Sequence, residues 1–384
     1  MNAKEILACA LWRVCAMLPM KRNGVLFSSF DGKGYSDSPK AIAQALLDSG
    51  EDLKLYWLVN TPQDALSLPK GITPIYRSRK LDQIKAYTTT KVWVNNCRQY
   101  PRVKRKGQYY LQTWHGFALK MIEKDAQSAL PEQYVRMCRQ DAAMTDAVVS
   151  GSVFMKNLFR SSFWYPEFVE IPLYGTPRND IFFRETPEIS EKIRSALQLP
   201  PQQKLVLYAP TFRADHSTDC YALDAGMLKK ACEARFGGEW SVLIRLHPGI
   251  ASKSAGLFAY DGIHILDATS YPDMQELLVG VDLLITDYSS SMFDYALSGK
   301  PCIQFALDIE EYKKDRNFYL PLDELPFPMA RGNRELEEIV KEYDADLWSA
   351  RWNAFCKASH ISIAEDGQAA RRCARWILDK LNLS

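Results

Sequence analysis

Two histidines stand in similar contexts, each at the end of an apolar segment that is predicted to form a strand. His115 closes the segment QTWHG (112–116), and His247 lies in IRLHPG (244–249). Because the unperturbed pKa of histidine is close to neutral, His115 is well placed to act as a general base on a hydroxyl group. The alternative, which the sequence leaves open, is a structural histidine that is hydrogen-bonded at the end of its strand.

Basic side chains accompany these strand ends. Arg245 and His247 alternate along one predicted strand, so both side chains point to the same face. Arg213 closes the segment YAPTFR (208–213) after another predicted strand. A guanidinium together with an imidazole donor suits a phosphoryl group, whereas an edge pair on a solvated face is the alternative for Arg245 and His247.

A hydroxyl-rich segment follows the predicted strand Val281–Ile285 and precedes a predicted short helix. It contains Thr286, Asp287, Ser289 and Ser290. Backbone N–H groups at such a junction, together with uncharged hydroxyl donors, favour a phosphate or pyrophosphate ligand. An ordinary helix cap is the alternative. We do not assign Asp287 and Asp294 as an acid–base pair; Asp294 is expected to orient the serine loop.

The elements that must position these residues alternate between strands and helices along the whole chain. We predict strands at 24–30, 53–59, 91–96, 108–113, 146–150, 205–210, 240–246, 263–266, 281–285 and 301–305, with helices between them and in the tail. This alternation predicts parallel βαβ units. The fold class is therefore α/β, with two Rossmann-like halves that face a cleft.

Prolines and a glycine between Pro172 and Asp180 interrupt any regular element, so we place the main domain boundary there. The expected organisation is an N-terminal apolar helix (1–22), a first domain (23–175), a second domain (176–345) and C-terminal helices (346–384) that are able to cross back to the first domain.

Composition excludes several classes of protein. The 384 residues carry a net charge of +2 with 24% charged and 47% hydrophobic residues, which is typical of a soluble globular protein and argues against a nucleic-acid partner. The nine cysteines form no CxxC pair and argue for a reducing compartment. The five histidines show no metal-ligand spacing, so no metal site or cofactor is expected.

Two segments could meet a membrane surface. Ile6–Leu18 is apolar apart from Arg13 and is shorter than the roughly 20 residues that span a bilayer. It could lie in the interface or pack as a helix on the first domain. The basic run Arg102–Lys106 is either a solvated face or a site for an anionic polymer or lipid headgroup.

Taken together, these segments resemble the CDP-glycerol glycerophosphotransferases of teichoic-acid and capsule synthesis. The resemblance runs from about Phe27 to about Pro328 and is carried by the segments 32–42, 112–125, 175–180, 208–213, 245–248, 276–278, 285–294, 300–301 and 308–312.

The resemblance implies a GT-B fold in which the second domain holds most of the nucleotide donor. It implies that an acceptor hydroxyl attacks the β-phosphorus of CDP-glycerol and expels CMP. His115 and His247 are then the candidate catalytic residues, with His115 as the base. The resemblance assigns nucleotide and phosphate binding to Arg213, Arg245, Glu276, Thr286, Asp287, Ser289 and Ser290. Acceptor contact or support of the site falls to Asp37, Lys120, Asp125, Arg178, Asp180 and Asp294.

The chain departs from the family pattern at three places. Phe117-Ala118 stands where the family has Thr-Pro after the first histidine, and Glu123 and Asn317 stand where it has glycine. These positions flank the acceptor side and the loop over the donor, so the acceptor and the donor alcohol stay open. The family also implies a polyprenyl-linked or glycan acceptor and a peripheral position on the inner face of the membrane.

Three other functions remain in competition. The same transfer could use CDP-ribitol, a GT-B glycosyltransferase could use a nucleotide sugar, and a scaffold of an envelope-assembly complex could lack catalysis. A divalent cation that accompanies the donor diphosphate, the number of units added and the oligomeric state are not decided by the sequence.

Overall fold

The structure is a computed structural model that describes residues 10–99, 103–184, 187–200, 202–213, 219–246, 265–315, 317–361 and 363–382. The chain divides into two compact units. The first comprises Met1–His115, Ile122–Phe183 and Ser362–Ser384, and the second comprises Gly116–Met121 and Arg184–Ile361. The predicted domain limits stay a prediction.

The first unit contains a parallel sheet of six strands among the described residues. The strands are β1 (Lys21–Ser28), β2 (Lys54–Val59), β3 (Ile72–Tyr76), β4 (Thr90–Asn95), β5 (Tyr109–Gln112) and β6 (Ala147–Val148), and they lie in the order β3-β2-β1-β4-β5-β6. This is the order of a doubly wound Rossmann sheet, in which the order of the strands reverses between β1 and β4. Ligands of such sheets bind beyond the carboxyl ends of the strands at that reversal.

The second unit repeats this topology. Its strands are β7 (Lys204–Ala209), β8 (Trp240–Ile244), β9 (Ile265–Asp267), β10 (Leu283–Thr286), β11 (Cys302–Phe305) and β12 (Met329–Ala330), in the order β12-β11-β10-β7-β8-β9. All the pairs are parallel. The order of strands reverses between β7 and β10, so the ends of these two strands mark the expected ligand position.

The helices lie between these strands and in the C-terminal tail. They are α1 (Asp37–Asp48), α2 (Pro62–Leu66), α3 (Lys80–Thr89), α4 (Glu132–Met144), α5 (Val153–Ser162), α6 (Pro187–Ala196), α7 (Ala225–Phe236), α8 (Met274–Gly280), α9 (Ser291–Tyr295), α10 (Ile309–Asp315), α11 (Asn333–Lys341), α12 (Ala345–Ala358) and α13 (Ala369–Leu381). Two 3₁₀ segments, Glu123–Ala129 and Pro177–Phe183, matter for the site.

Apolar strand residues account for the core of each unit. In the first, Phe27 stacks on Trp57 with ring centroids 5.5 Å apart, and the last helix adds Ile377 to the same cluster. In the second, Tyr208 and Ile285 pack with residues of α7 and α11. Because each buried side chain of this size contributes about 1.5–3 kcal/mol, the strand ends are held on rigid cores.

The predicted strands are all present, with ends shifted by a few residues. The predicted helices that follow β1 are confirmed, whereas the N-terminal helix expected over 1–22 ends at Cys15, and Lys21 and Arg22 belong to β1. Residues 263–264 of one predicted strand lie outside the described residues, and that strand is seen from Ile265. Two strands were missed. Strand β3 carries Pro74 and lies half-exposed at a sheet edge, whereas β12 has only two residues, so neither shows a clear apolar pattern.

The N-terminal segment packs on the first unit with one face. Residues 10–15 are helical, and residues 6–9 of the predicted helix lie outside the described residues. Trp12 and Cys15 are buried beside Tyr87 and Trp93, whereas Val14 is 63% and Met17 84% exposed. Among the described residues, no helix combines the length and the apolar composition that crossing a bilayer requires.

Candidate functional site

His115 lies three residues beyond strand β5, after a turn in which Trp114 adopts a left-handed backbone (φ 55°). Its imidazole Nδ1 is 2.7 Å from the backbone carbonyl oxygen of Asn96, which follows β4. A carbonyl oxygen only accepts hydrogen bonds, so Nδ1 carries the hydrogen. In the neutral ring Nε2 therefore keeps its lone pair and is the atom that can accept a proton.

The surroundings of His115 favour this neutral form. Burial lowers the pKa of the imidazole, and the bond to Asn96 opposes that shift without cancelling it. The thiol of Cys97 lies 3.9 Å from Nδ1, and burial raises its pKa to about 12, so it adds no charge. The rings of Trp114 and Phe30 flank the imidazole with centroids 4.2 and 5.9 Å away. His115 is thus a preorganised acceptor at neutral pH.

Arg178 and Asp37 join His115 through the backbone. One guanidinium nitrogen of Arg178 donates both to Asp37 Oδ2 and to the carbonyl oxygen of His115, each at 2.7 Å. Asp37 opens helix α1 with φ 63°, and its other carboxylate oxygen accepts from the backbone N–H of Ser38 at 2.7 Å. Three residues singled out in the sequence therefore meet in one cluster, in which Arg178 holds the turn that carries His115.

Asp180 and Asp125 have other partners. The two carboxylate oxygens of Asp180 accept from the backbone N–H groups of Ala369 and Ala370, at 3.0 and 2.8 Å, and so cap helix α13. Asp125 accepts from the hydroxyl of Ser162 at 2.5 Å. In the second unit, Lys120 lies over the ring of Tyr312, 5.0 Å from its centroid. These contacts give Asp180 a structural task in the first unit.

Two departures from the family pattern have a physical basis. Glu123 adopts φ 50°, a conformation that favours glycine, and its buried carboxylate makes two hydrogen bonds of 2.7 Å with Arg98. The ion pair compensates for the strained backbone. Phe117 stacks on Phe293 with centroids 4.0 Å apart, which places an aromatic contact where the family has threonine.

Asp287 joins the ends of β7 and β10 in the second unit, at the reversal of strand order. Its Oδ1 accepts from the backbone N–H of Thr211 at 2.8 Å and of Tyr288 at 2.6 Å. Its Oδ2 pairs with Arg213 at 2.9 Å. The hydroxyl of Thr286 donates to the carbonyl oxygen of Ala209 at 2.7 Å. Thr286 and Asp287 thus fix the position from which the serine loop starts.

Arg213 uses all five of its N–H donors within the protein. Nε and Nη2 donate to the two oxygens of Asp308 at 2.6 and 2.9 Å, Nη2 also donates to Asp287, and Nη1 donates to the carbonyl and hydroxyl oxygens of Thr211 at 2.7 and 2.8 Å. Burial alone would raise the pKa of Asp308, but the bonds from Arg213 lower it. A phosphate could reach this guanidinium only by displacing one of these acceptors, so the geometry favours a positioning role.

The serine loop keeps hydroxyl groups accessible. Ser289 and Ser291 share a hydrogen bond of 2.8 Å between their hydroxyls. Ser290 stands at the N-cap position of α9 but makes no side-chain capping bond, and its side chain is half-buried. The ordinary capping role therefore does not explain Ser290. Helix α9 has only five residues, which limits the contribution of its dipole.

Arg245 and Glu276 belong to a second network beyond strand β8. Arg245 donates to the carbonyl oxygen of Tyr271 at 2.6 Å, and the Tyr271 hydroxyl donates to Glu276 at 2.7 Å. Lys192 also pairs with Glu276 at 2.7 Å. Burial lowers the pKa of the Arg245 guanidinium, and within the described ranges no carboxylate forms an ion pair with it. An incoming anion would supply that missing charge.

The other predicted residues are less informative. His247 lies outside the described residues. Asp294 is buried in α9 and accepts from the amide of Gln275 at 3.4 Å. In the part of the chain that the structure describes, no group of three or more histidine, cysteine or acidic side chains could hold a metal ion.

Sequence reasoning missed three partners. Asn96 acts through its backbone carbonyl oxygen, which no residue pattern reveals. Asp308 belongs to the segment 308–312 that carries the family resemblance but received no role there; it follows β11 by three residues, and its place after a buried strand was the available signal for one. Tyr271 links Arg245 to Glu276 from a loop between β9 and α8 and had no signal in the sequence.

Comparisons with known proteins identify the family of the chain. The family described as CDP-glycerol:poly(glycerophosphate) glycerophosphotransferase matches residues 10–379. The teichoic acid poly(glycerol phosphate) polymerase of Bacillus subtilis (strain 168) is 32% identical over 345 residues, covering 87% of this chain and 45% of that protein. The teichoic acid glycerol-phosphate transferase of Staphylococcus aureus (strain NCTC 8325 / PS 47) is 28% identical over 384 residues, covering 95% of each.

A solved structure is also similar to the chain. The wall teichoic acid polymerase TagF matches with a TM-score of 0.83 and 28% sequence identity, covering 99% of this chain and 95% of that chain. The chain spans about half the length of the first curated polymerases that it matches. The resemblance seen in the sequence motifs is confirmed over nearly the whole chain, and the chain belongs to the CDP-glycerol:poly(glycerophosphate) glycerophosphotransferase family.

Proposed function

We propose that the protein transfers glycerol phosphate from CDP-glycerol to a hydroxyl of a polyprenyl-linked or glycan acceptor and releases CMP. Membership of the family supports the reaction class. A structure of the relative TagF was obtained after a soak with CDPG, which supports a CDP-linked donor. The observation that carries the proposal is the bond between His115 Nδ1 and the carbonyl oxygen of Asn96, because it leaves Nε2 as a proton acceptor.

The reaction follows from that geometry. Nε2 of His115 takes the proton of the acceptor hydroxyl while the oxygen attacks the β-phosphorus of the donor. The bond between the β-phosphorus and the bridging oxygen breaks, and the bridging oxygen leaves with CMP. Such phosphoryl transfer needs mainly positioning and charge stabilisation, and no covalent intermediate on the protein is required.

Residues of the second unit are proposed to hold the donor. Arg245 is a half-buried cation whose charge lacks an ion-pair partner among the described residues, which suits the diphosphate. The hydroxyls of Ser289 and Ser290 add neutral donors. Glu276 is assigned to nucleotide binding, and His247 remains the predicted second catalytic residue. Asp287 and Arg213 are proposed to fix the serine loop.

The wider arrangement is also part of the proposal. The two Rossmann-like sheets are proposed to form a GT-B fold with a central cleft, the second domain binding the nucleotide. The protein is proposed to work at the cytoplasmic face of the membrane, with the exposed Val14 and Met17 meeting the lipid. No resident metal is proposed; a divalent ion that accompanies the donor diphosphate counts as part of the substrate.

The experiment is a donor panel. Purified protein receives CDP-glycerol, CDP-ribitol or a UDP-sugar, with and without a lipid-extract acceptor, and released nucleotide is measured with either Mg²⁺ or EDTA. We expect CMP that depends on both acceptor and CDP-glycerol. Turnover of CDP-ribitol alone would mean that the donor alcohol is ribitol instead of glycerol. Release of UDP alone would mean that the protein is a glycosyltransferase. Release of no nucleotide from any donor would favour a scaffold without catalysis.

A further inference from the structure

The first unit contains a pocket that the proposed reaction does not use. It has a volume of about 250 Å³ and lies where β1, β2, β3 and α3 meet, at the sheet edge away from β5 and β6. Its polar lining consists of Lys21, Tyr56, Tyr76, Arg79, Asp82 and Lys85, and Ala86 is buried at its floor. The volume is below the roughly 300–1,000 Å³ of pockets for drug-sized ligands, so a single headgroup-sized molecule fits it.

The pocket carries uncompensated positive charge. Lys21, Arg79 and Lys85 face one carboxylate, Asp82, and in the part of the chain that the structure describes none of the three cations forms an ion pair. Lys21 donates to the phenolic oxygen of Tyr56 at 2.7 Å, which leaves the hydroxyl hydrogen of Tyr56 for another acceptor. Three cations and a hydroxyl donor around one cavity favour a phosphate group.

The basic run found in the sequence is less available than this pocket. Lys104 pairs with Asp146 at 2.5 Å, and Arg105 donates to the carbonyl oxygens of Leu18 and Thr88 at 2.9 and 2.8 Å. These cations are occupied within the fold. Lys21, Arg79 and Lys85, in contrast, form no ion pair within the described residues and converge on one pocket.

Two exposed apolar side chains lie on helix α3, which lines the pocket, and on the helical stretch beside it. Leu81, in helix α3, is 46% exposed, one turn before Lys85. The helical stretch 10–15 is anchored beside α3 because the ring of Trp12 lies 5.9 Å from that of Tyr87, and its Val14 is 63% exposed. Exposed apolar side chains on the elements around a cationic pocket are typical of a surface that meets anionic lipid.

We propose that this pocket binds a phosphate group, and that its source is the headgroup of an anionic lipid. Lys21, Arg79 and Lys85 neutralise the phosphate, Tyr56 donates a hydrogen bond to it, and Val14 and Leu81 contact the acyl region. The source of the phosphate rests on the proposed membrane association, and nothing in the inference rests on the transfer reaction. The pocket would hold the first unit at the membrane in one orientation.

The test compares two charge-matched double variants of the full chain. R79Q/K85Q removes two cations of the pocket. R136Q/K156Q removes two exposed cations of α4 and α5 that make no ion pair within the described residues. Binding to vesicles of phosphatidylglycerol and phosphatidylcholine is measured by cosedimentation, and circular dichroism checks the fold.

We expect the pocket variant to lose roughly 25-fold in vesicle affinity, since each of the two basic residues near an anionic surface contributes roughly fivefold. The control variant should lose much less. Equal losses in the two variants would mean that only net charge matters, and no loss in either would mean that the pocket faces away from lipid; both results overturn the proposal.

A second measurement separates the two sources of phosphate. Line broadening in ³¹P spectra is recorded for inorganic phosphate and for dihexanoyl phosphatidylglycerol below its micelle concentration. Broadening of the lipid that R79Q/K85Q abolishes supports the headgroup. Equal broadening of both probes, abolished by the same variant, keeps the phosphate site but assigns it to free phosphate. Broadening that survives in the variant removes the pocket from consideration, and turnover is not involved in either readout.

Discussion

The imidazole Nδ1 of His115 lies 2.7 Å from the backbone carbonyl oxygen of Asn96, and these residues follow neighbouring strands of one sheet. The contact fixes the hydrogen on Nδ1 and leaves Nε2 to accept a proton. Because the partner is a backbone atom at the end of a buried strand, the orientation of the ring is set by the fold. The ring of the proposed base, His115, is therefore oriented before any substrate binds.

The lowered pKa of His115 predicts how activity and stability depend on pH. The folded protein resists protonation of this ring, so between the lowered pKa and the usual value of about 6.5 the unfolded chain binds more protons. The free energy of unfolding should therefore fall as pH drops below about 6.5. The acidic limb of kcat/KM should lie below pH 6.5 as well.

The pH prediction is checked by urea unfolding at several pH values for the wild-type protein, His115→Gln and His360→Gln. His360 is exposed and serves as the matched control. We expect a flatter stability profile for His115→Gln in this window and a wild-type profile for His360→Gln. Profiles of equal slope in all three proteins would contradict the assigned shift.

Arg213→Lys tests whether this arginine supports the fold or contacts the donor. Lysine keeps the charge but cannot make the five hydrogen bonds that Arg213 makes with Asp287, Asp308 and Thr211. Breaking such a buried network costs about 3–5 kcal/mol, so urea unfolding should show a large loss. The exposed Arg331→Lys should change stability by at most about 1 kcal/mol. A raised KM for the donor with unchanged stability would instead indicate that Arg213 contacts the donor phosphate directly.

Arg245→Gln should weaken donor binding and leave the fold almost intact. Among the described residues its side chain makes one hydrogen bond, to the Tyr271 carbonyl oxygen, and glutamine can keep a donor there. A hydrogen bond to a charged group contributes about 1.5–3 kcal/mol, so KM for the donor should rise about 10- to 100-fold. Arg235 also donates to a backbone carbonyl oxygen, that of Tyr343, and Arg235→Gln is the control. Equal donor KM values in the two variants would exclude Arg245 from the donor site.

At Glu123 we expect the side-chain charge and the backbone conformation to make opposite contributions to the free energy of unfolding. Loss of its carboxylate breaks a buried pair with Arg98, which costs about 3–5 kcal/mol. Glycine relieves the left-handed backbone and returns about 1–2 kcal/mol, whereas alanine does not. Thermal or urea unfolding should therefore rank wild type above Glu123→Gly, and Glu123→Gly above Glu123→Ala. Reversal of the last two would show that the backbone at this position is unstrained.

The sequence was sufficient for the alternation of elements and for the strand ends that carry polar residues. Buried strands such as Leu283–Thr286 have continuous apolar runs, and the chemistry-bearing residues follow them directly, so periodicity located both. The family resemblance added Asp37 and Arg178 to the candidate site, although they are 141 residues apart and meet only through the fold.

The parts that could not be predicted depend on three-dimensional contacts. All the N–H donors of Arg213 are occupied only because Asp308 reaches it from beyond the end of another strand. A sequence motif that contains an arginine does not show how many of the donors of that arginine are occupied. The orientation of His115 depends on a backbone oxygen, which every residue possesses. The capping role of Asp180 required helix α13, which lies 189 residues further along the chain.

The most direct test of the central claim is acceptor-dependent CMP release from CDP-glycerol, measured side by side for the wild-type protein and His115→Ala at pH 7.5. Base catalysis of this kind contributes about 10²- to 10⁴-fold, so the variant should lose at least about 100-fold in kcat while its circular dichroism spectrum stays that of the wild type. A folded His115→Ala protein with wild-type kcat would contradict the account, because the ring held by Asn96 would then take no part in the transfer.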